Sequence, residues 1–286
     1  MSRRLPRQLV VTADDVGLAP GMTAGALRAA EAGIVTAVSV APVGEAFDDA
    51  VAALRACPAV DVGAHLVLVG ERPLSPPAEV ASVLGGDGRL LPGFGAFCAR
   101  WARGGVALAE VRVELGRQLE RLLTSGLPVR HLNSHQHLHA LPRLFDLVVE
   151  LAAAHGIPFV RVPDDPGLPL AVSPRGVALR ALRMLARRCR RRLPHGVGAL
   201  EGALGLAAAG HLTPARLRAL LARASGRCEL VCHPGEGDGA LAARYRWGYE
   251  WDAERETLCD PELRAWLAEH GIELTSFSAL SPSPPG

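Results

Sequence analysis

The segment His131-Leu-Asn-Ser-His-Gln-His-Leu-His139 holds four of the chain's ten histidines. Imidazole is the commonest neutral metal ligand and the usual proton carrier near pH 7, so this density points to a metal site or to acid–base chemistry. Three other stretches offer matching groups. Asp14 and Asp15 are adjacent after a short apolar run, and neighbouring carboxylates repel unless an opposite charge offsets them. A divalent cation would do so, with one carboxylate as ligand and the other free as a base; the pair is equally suited to a helix cap or an Asx turn. His65 lies in the strand-like run Val60–Val69, where a histidine is either a hydrogen-bonded core residue or a ligand. His233 stands before Pro234-Gly235 at the end of another apolar run, a place that suits a general acid at the rim of a cleft and equally a loop histidine.

Each of these groups follows a short apolar run, and the runs alternate with helical patterns. Leu9–Thr12, Ala37–Ala41, Val60–Val69, Val129–Asn133, Pro158–Val162, Glu229–Cys232 and Ile272–Phe277 read as strands. Met22–Ala32, Ala46–Ala56, Leu108–Leu123, a segment from Pro142 to His155, and Ala253–Glu269 read as helices. About seven such units predict a parallel sheet covered by helices, closer to a barrel than to a small open sheet. In such barrels the C-terminal strand ends collect the active site, and that is where the four signals fall. If extended geometry persists past Asn133, His135 and His137 point the same way, and one or two of the clustered histidines reach a metal held by another strand; the rest orient ligands or contact substrate. Residues 1–280 read as one domain, with insertions at about 71–105 and 163–210 and a Ser/Pro/Gly tail at 281–286 that is expected to be disordered.

Composition narrows the class. The chain has 286 residues, 49% of them hydrophobic, and a net charge of +2, so nothing draws the whole protein to nucleic acid or membrane. Six scattered cysteines without a Cys-x-x-Cys pair read as buried thiols rather than disulfides. The basic N-terminus carries an apolar run of only Leu9 to Val11 before the Asp pair, which is not the pattern of a secretory leader. A cytoplasmic protein, monomeric or homodimeric, is expected. One local exception is the run Arg180, Arg183, Arg187, Arg188, Arg190, Arg191 and Arg192, with Leu179, Leu182, Leu185 and Leu193 as its apolar side. This is either a solvated basic face or a peripheral membrane contact.

Val11–Gly17 with Pro20-Gly21, Gly33–Thr36, Gly63–Leu68, His131–His139 with Pro142, and Val231–Pro234 together resemble the motif set of the YdjC-like carbohydrate deacetylases, a family that includes chitooligosaccharide deacetylases. His65–Pro73 also resembles the hopanoid-biosynthesis branch, whose members deacetylate an amino sugar on a lipid. The resemblance implies a deformed TIM-like (β/α) barrel and one divalent metal ion, Mg or Zn, with Mn, Co and Fe also compatible with the ligand types. It implies metal ligands at Asp15, His65 and His135, a catalytic base at Asp14, and an acid at His233. His137, His139 and Arg161 are expected at the substrate, a small N-acetylated amino sugar. Val16 departs from the family, which has Phe there, and residues 163–210 match no part of the pattern.

Two rival readings remain open on sequence. A metal-dependent phosphoesterase uses the same residue types on the same kind of barrel but generally holds two metals, needing more ligands than three strand ends supply. A nucleic-acid binder could use the Arg180–Arg192 run, though balanced net charge and scarce aromatics oppose it.

Overall fold

The computed structural model describes residues 7–165, 174–223 and 225–281. Its centre is β1 (Arg7–Val16), buried from Leu9 onward. A strand covered on both faces needs the near-continuous apolar run this one has. Around it lie β2 (Ala37–Val40), β3 (Asp61–Leu66), β4 (Val129–Ser134), β5 (Phe159–Val160), β6 (Gly202–Leu204), β7 (Arg227–Cys232) and β8 (Ile272–Leu274). The order is β5-β4-β3-β2-β1-β7-β6, with β8 beside the start of β1, and every pairing is parallel.

The helices are α1 (Pro20–Glu31), α2 (Phe47–Arg55), α3 (Phe94–Ala102), α4 (Leu108–Thr124), α5 (Leu144–Ala154), α6 (Pro174–Arg190), α7 (Pro214–Leu221), α8 (Asp238–Arg244), α9 (Trp251–Leu258) and α10 (Pro261–Glu269). Proline opens α1, α7 and α10, where its missing N–H costs nothing. None of the described helices is long and apolar enough to cross a membrane.

The expected deformed TIM-like barrel is met in its coarser form: the parallel sheet curls into a half-barrel and does not close. Its edge strands β5 and β6 share no ladder. Single bonds cross the gap, from Val160 N to Gly198 O (2.9 Å), Gly198 N to Pro158 O (2.8 Å) and Ala203 N to Asp164 O (2.9 Å). The expected helix over 253–269 is two helices. The first ends at Leu258, Asp260 caps the second by accepting from Glu262 N at 2.9 Å, and Pro261 cannot continue an existing helix.

The 71–105 insertion is anchored from beneath. The buried Glu114 carboxylate on α4 accepts from Leu74 N (3.0 Å) and Ser75 N (2.9 Å). All six cysteines are free; Cys189, Cys228 and Cys232 are buried and the others half-buried. Residues 166–173 of the second insertion, and all but Ser281 of the expected tail, lie outside the described residues.

Candidate active site

The C-terminal ends of β1, β3, β4 and β7 open onto one cavity of about 350 Å3. Asp14, His65, His135, Gln136, His137 and His233 line it, together with Trp247 and Tyr249. In a regular strand Asp14 and Asp15 would face opposite sides. Here β1 bulges between Ala13 and Val16, and Asp15 adopts a left-handed backbone (φ +65°), which a non-glycine residue holds only when its surroundings demand it. The kink brings Asp15 across the end of β2 against His65 of β3 and His135 just past β4.

Asp15 Oδ1 lies 3.0 Å from His65 Nε2 and 2.9 Å from His135 Nδ1, and the two ring nitrogens are 3.5 Å apart. Among the described residues these three form the one group of metal-ligand type whose donor atoms converge, all within 4.8 Å. The tautomer of His65 shows what that point of convergence calls for. Asn133 faces His65 across the β3–β4 ladder. Its Nδ2 donates to Asp14 Oδ1 (3.1 Å), so its Oδ1 accepts, from Ser39 Oγ and from His65 Nδ1, both at 2.7 Å. A His65 protonated on Nδ1 presents its Nε2 lone pair to a carboxylate oxygen, which is repulsive unless a positive charge lies between them. Burial alone would push the pKa of His65 down; Asp14 and Asp15 outweigh it and raise it, so a proton is drawn to the place a cation would take.

Asp14 is held differently. Arg161 donates through one terminal nitrogen to Oδ2 (2.5 Å) and through the other to Oδ1 (2.9 Å), while its remaining edge engages Glu229 on β7 at 2.7 and 3.0 Å. All three are buried. Burial would raise the pKa of Asp14, but Arg161 and His65 reverse this and keep it far below the usual carboxylate range. Arg161 is therefore placed against expectation: it is buried behind Asp14 and is not among the residues that line the cavity.

His139 is also behind the cavity wall. Its Nε2 donates to the Arg161 carbonyl (2.8 Å) and its Nδ1 pairs with Ser134 Oγ (2.7 Å), and burial lowers its pKa to about 4. His137 does line the cavity, with a buried, unpartnered Nδ1. It does not point as an extended strand would send it, because β4 ends at Ser134 and both Gln136 and His137 turn left-handed (φ +54°). His131 faces away from the cavity, stacked on Phe277 with 4.2 Å between ring centroids.

His233 follows β7. Its Nε2 is 4.0 Å from Asp15 Oδ2, its backbone N donates to Glu254 Oε1 (2.6 Å), and its buried Nδ1 has no hydrogen-bond partner. Burial lowers its pKa, so the ring is neutral at rest. Burial likewise lifts Glu254 to about 7 despite its backbone hydrogen bonds.

Sequence reading passed over Asn133, Glu229, Glu254, Trp247 and Tyr249. One signal was available: Tyr245-Arg-Trp-Gly-Tyr-Glu-Trp251 carries both tyrosines and two of the four tryptophans of an aromatic-poor chain. Trp247 packs 5.0 Å from His135 and Tyr249 packs 5.1 Å from His233, so aromatic faces stand beside the polar groups, as in a pocket for a ring with an apolar face.

A curled parallel sheet with an Asp-His-His group at its strand ends describes an α/β half-barrel with a candidate metal centre. Comparison with known proteins narrows this further. The family model described as YdjC-like protein matches residues 8–269, and the chain belongs to that family. It is 34% identical to a human protein named carbohydrate deacetylase, covering 100% of this chain and 94% of that one, and 33% identical to the mouse protein of the same name, covering 98% and 96%. A chitooligosaccharide deacetylase of Serratia marcescens is 29% identical over 96% of this chain and 100% of its own. Among solved structures, a candidate cellobiose-phosphate cleavage protein from Enterococcus faecalis superposes with a TM-score of 0.75 at 23% identity, covering 97% of this chain and all of that one; this likeness concerns the fold.

Proposed function

We propose that this protein is a metal-dependent hydrolase that removes the acetyl group from an N-acetylated amino sugar and releases acetate. The observation that carries the reading is the convergence of Asp15, His65 and His135 beside a cavity that Asp14 and His233 also line. The relatives named carbohydrate deacetylase supply the substrate class. One carboxylate and two imidazoles suit a divalent ion such as Zn, Mn, Co or Mg, and the Nε2 lone pair of His65 aimed at Asp15 fits such an ion. When bound, the ion contributes Lewis acidity, which lowers the pKa of water and polarises a carbonyl oxygen.

The chain's own residues divide the remaining work. Asp15, His65 and His135 hold the ion, and Asn133 fixes the His65 tautomer. Asp14 stays ionised because Arg161 grips both its oxygens, and it receives the proton of the attacking water. His233, neutral at rest, takes up a proton from solvent in the cavity it lines as negative charge grows beside it and delivers it to the departing amine nitrogen, while Asp14 gives the water's proton back to solvent. Trp247 and Tyr249 offer faces for the sugar ring. The two-metal phosphoesterase reading finds ligands for one ion among the described residues.

The division of roles is tested by variants. Asp14→Asn should retain its metal and lose about 10²–10⁴ of turnover, the usual contribution of a general base. His65→Ala and His135→Ala should lose the metal itself, read by elemental analysis. Near-full activity in Asp14→Asn, or stoichiometric metal in the double histidine variant, would overturn the assignments.

A further inference from the structure

We propose that the outward face of α6 is a docking surface for an anionic phospholipid membrane. The helix is amphipathic, and its inner side is accounted for: Ala186 and Cys189 are buried, and Leu182 and Leu185 pack on the core. Several arginines of the run are also committed within the protein. Arg183 pairs with Asp164, Arg190 donates to the carbonyls of Leu200 and Glu201, and Arg192 forms a two-pronged pair with Asp146. Arg187, Arg188 and Arg191 are exposed and enter no ion pair among the described residues.

Val177, Ala181, Met184 and Arg188 recur at intervals of four, three and four, which places them on one stripe of the helix. Met184 (70% exposed) and Val177 (58%) are the two most exposed large hydrophobic residues of the described chain. At the foot of the stripe the exposed Arg143 and Arg188, with the Arg192–Asp146 pair, line a recess of about 120 Å3.

Free cations flanking exposed apolar side chains match the two layers of a membrane surface, the anionic head groups and the acyl region just beneath. A nucleic acid would satisfy the arginines but offers nothing to Met184 and Val177. The position of the helix adds a consequence. Leu182 on its inner side packs with Leu206 and Val231, which line the catalytic cavity, so a docked protein places only the thickness of α6 and this apolar layer between that cavity and the lipid.

Co-sedimentation of the full chain with vesicles tests this without reference to catalysis. Vesicles of phosphatidylcholine mixed with phosphatidylglycerol should bind the protein, phosphatidylcholine alone should not, and added salt should weaken binding. Replacing Arg187, Arg188 and Arg191 together by Gln should weaken binding about a hundred-fold, at roughly five-fold per basic residue. Met184→Ser should weaken it about five-fold with the charges intact. These exposed substitutions should leave the thermal midpoint in place. Equal binding to both vesicle types, binding insensitive to the triple variant, or retention of duplex DNA in place of vesicles would each overturn the proposal.

Discussion

Asn133 ties the two halves of the site together, since a single amide fixes the His65 tautomer and also donates to the Asp14 carboxylate. Asn133→Ala should therefore lower metal affinity by about 10–100-fold, the usual cost of losing an orienting partner, as read by calorimetric titration. The neighbouring histidines carry a different consequence. His131 and His139 are buried with pKa values lowered to about 4, whereas an unfolded histidine titrates near 6.5. Their contribution to stability is complete above about pH 6.5 and is lost as pH falls toward 4, because the unfolded chain binds the proton first. Each can account for about 3 kcal/mol across that window. Denaturant midpoints should fall steeply between those pH values, and less steeply in His131→Phe; parallel profiles would contradict this. Residue types and spacing made Asp14, Asp15, His65, His135 and His233 visible in the sequence because each chemistry needs those groups at strand ends. Arg161, Asn133 and Glu229 were not legible in their observed roles, since a buried partner is defined by what packs across the sheet, which no local pattern encodes.

At the scale of elements, the site depends on how closely α1 and the turn after β7 approach. A Cβ on Gly25 of α1 would lie 2.3 Å from the Gly235 backbone, two residues beyond His233. Gly25→Ala should cost roughly 1–3 kcal/mol through overpacking, and it should depress turnover while leaving metal content intact, because the turn it displaces carries His233 and not a ligand. Loss of metal in that variant would show that the two ends of the site are not separable. The alternation of apolar runs and helical patterns was legible because strands buried on both faces and helices covered on one leave distinct periods. What escaped was short or broken by a single residue. β6 is only Gly-Ala-Leu, too brief for any period. The helical pattern over 253–269 runs through Pro261, whose place at the start of α10 divides it. The turn that carries His135 and His137 out of extended geometry rests on left-handed residues that are not glycine, and such positions give no sequence signal.

For the whole molecule, the curled sheet brings residues far apart in sequence onto one cavity. The barrel was legible as a strand count, but its open edge was not, because closure depends on whether β5 and β6 meet and both are very short. The most direct measurement is acetate release from N-acetylglucosamine substrates, running from chitobiose to glycoside- and lipid-linked forms, by protein as purified, after chelation, and after return of a single divalent metal. The account predicts release from at least one substrate, its loss on chelation, and its recovery with about one metal per chain. Release undiminished by full removal of metal, or no release from any substrate by protein carrying its metal, would contradict it.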